Sequence, residues 1–161
     1  MLILGLFQLI SAQESLSDLL EKSTQFYENY ELDSAWNLAV KAENISRNKK
    51  DIHNQIRAKI IQTNIQIEND DLSAAEKNAN ETQKLAKLKQ DPFSEAVTQM
   101  QLGQIRLYND EFEKSIPYFE KCIKHYFSKH PSAEAALAYN DYGYSLGQIG
   151  KPELQIESLL G

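Results

Sequence analysis

Four stretches of the chain put apolar side chains three, four and seven residues apart. They are LSDLLEKSTQFYEN (16–29), IRAKIIQTNIQIEN (56–69), AVTQMQLGQIRLYN (96–109) and ALAYNDYGYSLGQI (136–149). That spacing makes a stripe along one side of a helix, so each stretch predicts an amphipathic helix. Stacked, their fifth column holds Leu20, Ile60, Met100 and Asn140, and their twelfth holds Tyr27, Ile67, Leu107 and Gly147. The eighth column, Ser23, Thr63, Gly103 and Gly143, is small throughout, as close helix crossings require. Asn29, Asn69 and Asn109 end the first three stretches and are expected to take the left-handed conformation that closes a helix.

A polar turn follows each stretch, at ELDSA (31–35), DLSAA (71–75), EFEKS (111–115) and KPELQ (151–155). Leu32, Leu72, Phe112 and Pro152 each fall 40 residues after the one before, which is the signature of a repeat architecture. A second helix is predicted after each turn. Ala35, Ala39 and Ala42 lie on one face of the first; Ala75, Ala79 and Thr82 match them, then Ser115, Phe119 and Cys122. Asp33, Ser73 and Glu113 occupy first turns, where acceptors satisfy free N–H groups. Pro117 falls early in its helix, where its ring costs least. Longer links are expected around Arg47–Ile52, Gln90–Pro92 and Lys129–Ser132, with Ser132 as an N-cap. No strand-like alternation appears, and the fold class predicted is all-α.

These residues resemble the tetratricopeptide repeat. Leu102-Gly103, Phe112, Ser115, Phe119 and Cys122 of the third unit, and Tyr139, Tyr142-Gly143 and Gly150 of the fourth, fall on its packing positions. The resemblance covers residues 16–161, in units of about 16–48, 56–88, 96–128 and 136–161, with a period of 40 where the family has 34. Gln155 replaces a small packing residue. The resemblance implies a right-handed superhelical solenoid whose first helices line a concave groove for a peptide or protein partner. By position it assigns to that groove Arg57, Ile60, Asn64 and Ile67, then Val97, Met100, Gln104, Leu107 and Tyr108, then Asn140, Tyr144 and Gln148. Ile60, Met100 and Leu107 fit equally well as core between helices. The basic carboxylate clamp of some relatives is missing.

Composition narrows the function further. The chain has 161 residues, with 17 basic against 23 acidic side chains, a net charge of −6. Its basic clusters, Arg47–Lys50 and Lys84–Lys89, are short, so no nucleic-acid partner is expected. The single cysteine, Cys122, forbids an intramolecular disulfide and stands at a packing position. His53, His125 and His130 share no ligand spacing, so no metal is expected. Asp70-Asp71 and Asp110-Glu111 recur at the inter-helix turns, where helix starts explain them. No glycine loop cradles phosphate, no cofactor is implied, and no enzyme chemistry is expected.

Both ends carry further expectations. MLILGLFQLISAQ has the apolar and cleavage regions of a secretory signal over residues 1–12, though without a basic start. It is too short to span a bilayer. Leu159 and Leu160, with no following helix, suggest that the array continues. The functional expectation is a protein- or peptide-binding scaffold, extracytoplasmic or periplasmic if the leader is a signal. It resembles sensory arrays of bacterial signalling proteins, an analogy of fold and leader. The alternatives are a cytoplasmic peptide-responsive regulator, or the docking part of an enzyme lying outside this segment.

Overall fold

The computed structural model describes residues 15–150. The leader at 1–12 and the helix expected from Pro152, with Gln155, Leu159 and Leu160, lie outside the described residues. Seven α-helices follow one another: α1 (Leu16–Glu28), α2 (Leu32–Lys49), α3 (Ile52–Glu68), α4 (Leu72–Lys89), α5 (Pro92–Tyr108), α6 (Phe112–His125) and α7 (Ala133–Gln148). A single 3-10 turn, Phe127–Lys129, separates the last two, and the described residues contain no strand. None of these helices is long and apolar enough to cross a membrane. Each helix packs on the next, and α1 also touches α3, α3 touches α5, and α5 touches α7.

The 40-residue period is written into the backbone. Tyr30, Asp70, Asp110 and Gly150 all have positive φ, at 62°, 59°, 57° and 74°. The expectation for the asparagines is corrected by one residue, since Asn29, Asn69 and Asn109 stay near φ −85° to −86°. The left-handed residue that follows each of them lets the next N–H reach back over the helix end. Glu31 N donates to Phe26 O (2.8 Å), Asp71 N to Gln66 O (2.8 Å) and Glu111 N to Arg106 O (2.9 Å). This is the Schellman closure, which satisfies carbonyls that a helix end otherwise leaves bare.

The links between repeats are the second correction. Lys50-Asp51 and Gln90-Asp91 alone connect α2 to α3 and α4 to α5, so α3 and α5 begin four residues before the apolar stripes at Ile56 and Ala96. Lys50 and Gln90 take the same left-handed conformation (φ 56° and 55°). Asp51 then accepts from Asn54 N (3.1 Å), and Asp91 accepts from Ser94 N (3.1 Å) and Ser94 Oγ (2.8 Å). These aspartates are strong N-caps, and Pro92 at the first helical position needs no N–H partner. In the first two repeats longer helices, rather than longer links, therefore account for the period of 40. The third link does run long, from Tyr126 to Ser132, and Ser132 caps α7 by accepting from Ala135 N (3.1 Å).

The core follows the repeat columns. Ser23, Thr63 and Gly103 are buried at the helix crossings, as is Gly143. Opposite them Ala35, Ala75 and Ser115, then Ala39, Ala79 and Phe119, then Ala42, Thr82 and Cys122, are almost completely enclosed. Alanines on α2 and α4 let neighbouring backbones come close. Ser23 Oγ donates to Ala35 O at 2.7 Å across the first crossing, and Ser115 Oγ to Ser145 Oγ at 2.8 Å between α6 and α7. The third crossing is filled differently: Phe119 occupies the space that the bare Gly103 leaves. Phe127, in the 3-10 turn, is tucked beside Phe119 and Cys122, among Ala96, Val97 and Met100 of α5.

A groove along the odd-numbered helices

Because α1, α3, α5 and α7 are neighbours, residues at equivalent positions on them line up across one surface. Two adjoining cavities open there, of about 290 Å³ and about 410 Å³, and share Tyr27, Ile60, Asn64, Phe93 and Glu134. The smaller is floored by Ile67, Val97, Met100 and Gln104, with Tyr108 and Leu137 at its sides. The larger runs past Arg57, His53 and the N-cap of α5. Phe93, Tyr108 and Leu137 are among the few large apolar side chains left exposed, at 37%, 55% and 43%.

The polar groups of the groove are held in place. Glu68 accepts from the hydroxyls of Tyr30 (2.5 Å) and Tyr27 (3.5 Å). Burial, reinforced by the Glu68 charge, pushes the Tyr27 phenol well above its ordinary range. The Tyr108 phenol is raised by burial, with Asp141 and Glu68 adding to it. Asp141 is itself raised by burial, opposed by the hydrogen bond from Gln104 Nε2 (2.8 Å). Below the surface, the enclosed Gln101 donates from Nε2 to Ile60 O (3.0 Å) and Asn64 Oδ1 (2.6 Å), tying α5 to α3. Asn64 thus has a fixed orientation at the groove floor.

The residues assigned to the groove from sequence divide by helix. Arg57, Ile60, Asn64, Ile67, Val97, Met100, Gln104 and Tyr108 all line one or both cavities. Met100 and Gln104 do so while almost buried, and Leu107 packs into the core around Phe119. Asn140, Tyr144 and Gln148 are exposed on α7 and line neither cavity. The Tyr144 ring stands edge-on to Phe112 of α6 (centroids 6.1 Å apart). Instead α7 lends the groove its first turn, through Ala133, Glu134 and Leu137. Leu137 shares the repeat column of Arg57 and Val97, and Glu28 and Glu68 share that of Tyr108, so the columns read through would have found all three. Phe93 was hidden by the late helix start expected for α5.

Elsewhere the polar chemistry is structural. Lys59, between α2, α3 and α4, donates to Asn78 Oδ1 (2.5 Å) and Glu81 Oε2 (3.0 Å) and lies 3.8 Å from Glu43 Oε1. A further cleft of about 290 Å³ between α4, α5 and α6 is edged by Lys87, Lys121 and His125. Cys122 reaches that cleft, but burial pushes its thiol up to about 12, far from a reactive thiolate near neutral pH. His130 stacks on Tyr126, with centroids 4.1 Å apart. Among the described residues, no group of three His, Cys, Asp or Glu could hold a metal ion. No protein-family model, curated protein or solved structure matches this chain.

Proposed function

We propose that this chain is a tetratricopeptide-like array, a right-handed solenoid of helix pairs, that binds an extended segment of another protein or a peptide along the groove of α1, α3, α5 and α7. The observation that carries this reading is the groove itself. Exposed Phe93, Tyr108 and Leu137 share it with Asn64, Gln104 and Glu68, which neighbouring side chains already orient. Fixed Asn64 and Gln104 suit the backbone of an extended chain, and the apolar floor suits alternate side chains, as in other recognition of extended peptides. Pre-oriented groups lower the ordering cost that binding otherwise carries.

The apolar leader followed by Ser11-Ala12-Gln13 supports an extracytoplasmic setting, as the sensory or scaffold part of a larger bacterial signalling protein. A mature N-terminus near Gln13 is the expected result of sequencing the exported protein; a cellular product that retains residues 1–12 refutes that setting. The groove is tested by panning a displayed peptide library on the chain. Enriched peptides are expected to lose binding to Tyr108→Ala and Asn64→Ala and to keep it with Lys87→Ala and Lys121→Ala. The opposite pattern moves the binding face to the cleft of α4, α5 and α6.

A further inference from the structure

We propose that the groove selects a basic segment, seating a lysine or arginine side chain of the partner between Tyr27, Tyr108 and Phe93 with its charge turned toward Glu68 and Glu134. This rests on the groove reading above and names the class of partner it takes.

Charge is the first argument. Among the described residues, the charged ones lining the smaller cavity are Glu68 and Glu134. In the adjoining cavity Glu28, Asp91 and Glu134 face one permanent cation, Arg57, whose Nη1 is engaged with Asn54 Oδ1 at 3.2 Å. An acidic segment would set its carboxylates beside these acids. A wholly apolar one would cover these charges without adding a counter-charge, which is costly. A cation answers both.

Shape and surface are the second argument. Lysine and arginine carry a charge on an apolar stem, and such side chains lay the stem on apolar surface while the head stays among polar groups. Ile60, Val97 and Met100 offer the stem its surface. Tyr27, Phe93 and Tyr108 line the same cavity, and cations are attracted to aromatic ring faces, more strongly as water is excluded. Glu68 is held by two phenol donors, and a carboxylate has about four acceptor positions, so it keeps capacity for an incoming ammonium or guanidinium.

The test is fluorescence anisotropy on the full chain with three labelled hexapeptide amides: Ala-Lys repeated three times, the same peptide with acetylated lysines, and Ala-Glu repeated three times. The lysine peptide is expected to bind, and acetylation or glutamate to weaken it at least tenfold. Glu68→Gln and Glu134→Gln are each expected to weaken it several-fold. Glu113→Gln, on the exposed first turn of α6, is expected to leave it unchanged. Melting curves accompany each variant, and Glu134 serves if Glu68→Gln is poorly folded. Equal binding of the acetylated peptide, lost in Tyr108→Ala, overturns the basic class and leaves the groove standing. A loss with Glu113→Gln as large as with Glu68→Gln shows diffuse attraction to an acidic chain and overturns the assignment. Binding by none of the three peptides overturns the charge selection, and the library panning above then decides the groove separately.

Discussion

At the third helix crossing, Gly103 has no side chain and Phe119 fills the space beside it. A Cβ built on Gly103 would stand 2.8 Å from Phe119 Cε1, 3.0 Å from Cζ and 3.1 Å from Cδ1. Carbon atoms sit best at about 3.5–4.0 Å, so the ring would have to retreat by roughly half an ångström or more. Phe119 is wholly enclosed and has little room to do so. Gly103→Ala therefore sets two effects against each other. Alanine gains about 1 kcal/mol of helix propensity over glycine. Overpacking costs about 1–3 kcal/mol. The net expectation is a loss of about 0–2 kcal/mol. Gly103→Leu gains similar propensity but adds three more carbons against the same ring, and its loss is expected to exceed that of alanine by about 2 kcal/mol or more. For a chain of this size, each kcal/mol moves the midpoint by about 2–4 °C. The assay is thermal unfolding followed by circular dichroism, repeated in a Phe119→Leu background. Relief of the clash should make Gly103→Ala less costly there, a coupling of about 0.5–3 kcal/mol. Unchanged melting of Gly103→Leu, or equal cost in both backgrounds, would refute the crossing geometry and the repeat register built on it.

Three further outcomes follow from the same structure. Gln90→Gly should raise stability by up to about 1 kcal/mol in urea titration, because glutamine at φ 55° bears the steric cost that glycine avoids, whereas Gln90→Val should lower it. Lys59→Met keeps the stem of the buried lysine and removes its ammonium from Asn78 and Glu81; a loss of about 1.5–3 kcal/mol is expected, and no change would show the network to be energetically idle. The hydrogen bonds from Asn54 hold the Asp51 carboxyl below its ordinary 3.8, so its charged cap stabilises the fold above that pH and the contribution is lost as pH falls through the lower folded value. The stability gap between the native chain and Asp51→Asn should accordingly stay constant from neutral pH to about pH 5 and close on further acidification. A gap that widens there would reverse the assignment.

The helices and their core faces were legible in the sequence because each depends on local or repeated features. The small column at Ser23, Thr63, Gly103 and Gly143 states where backbones cross, and the alanines of α2 and α4 state which face meets them. Helix starts were misplaced where capping competed with apolar periodicity. Ile52–Gln55 and Pro92–Glu95 lack the stripe, yet Asp51 and Asp91 make them helical. Left-handed closure fell on Tyr30, Asp70 and Asp110 rather than on the asparagines before them, because the closing hydrogen bonds decide the position and residue preference is secondary. The groove was legible over α3 and α5, where its columns are flanked by helices on both sides. It was not legible over α7, which follows the long Tyr126–Ser132 link in place of a two-residue one, and no column records that. Glu134 was passed over because a carboxylate in a first turn ordinarily means dipole stabilisation, and Glu68 because its column was read only at Tyr108. Their common surface exists only once the odd helices are side by side.

The chain has two methionines, Met1 and Met100, so a methyl-labelled sample carries a single methionine probe in the groove floor. Titrating the peptide that binds most tightly into that sample tests the central claim directly. The account predicts a saturable shift of the Met100 methyl signal whose midpoint matches the binding constant and which vanishes with Tyr108→Ala. Binding that leaves the Met100 signal in place contradicts it.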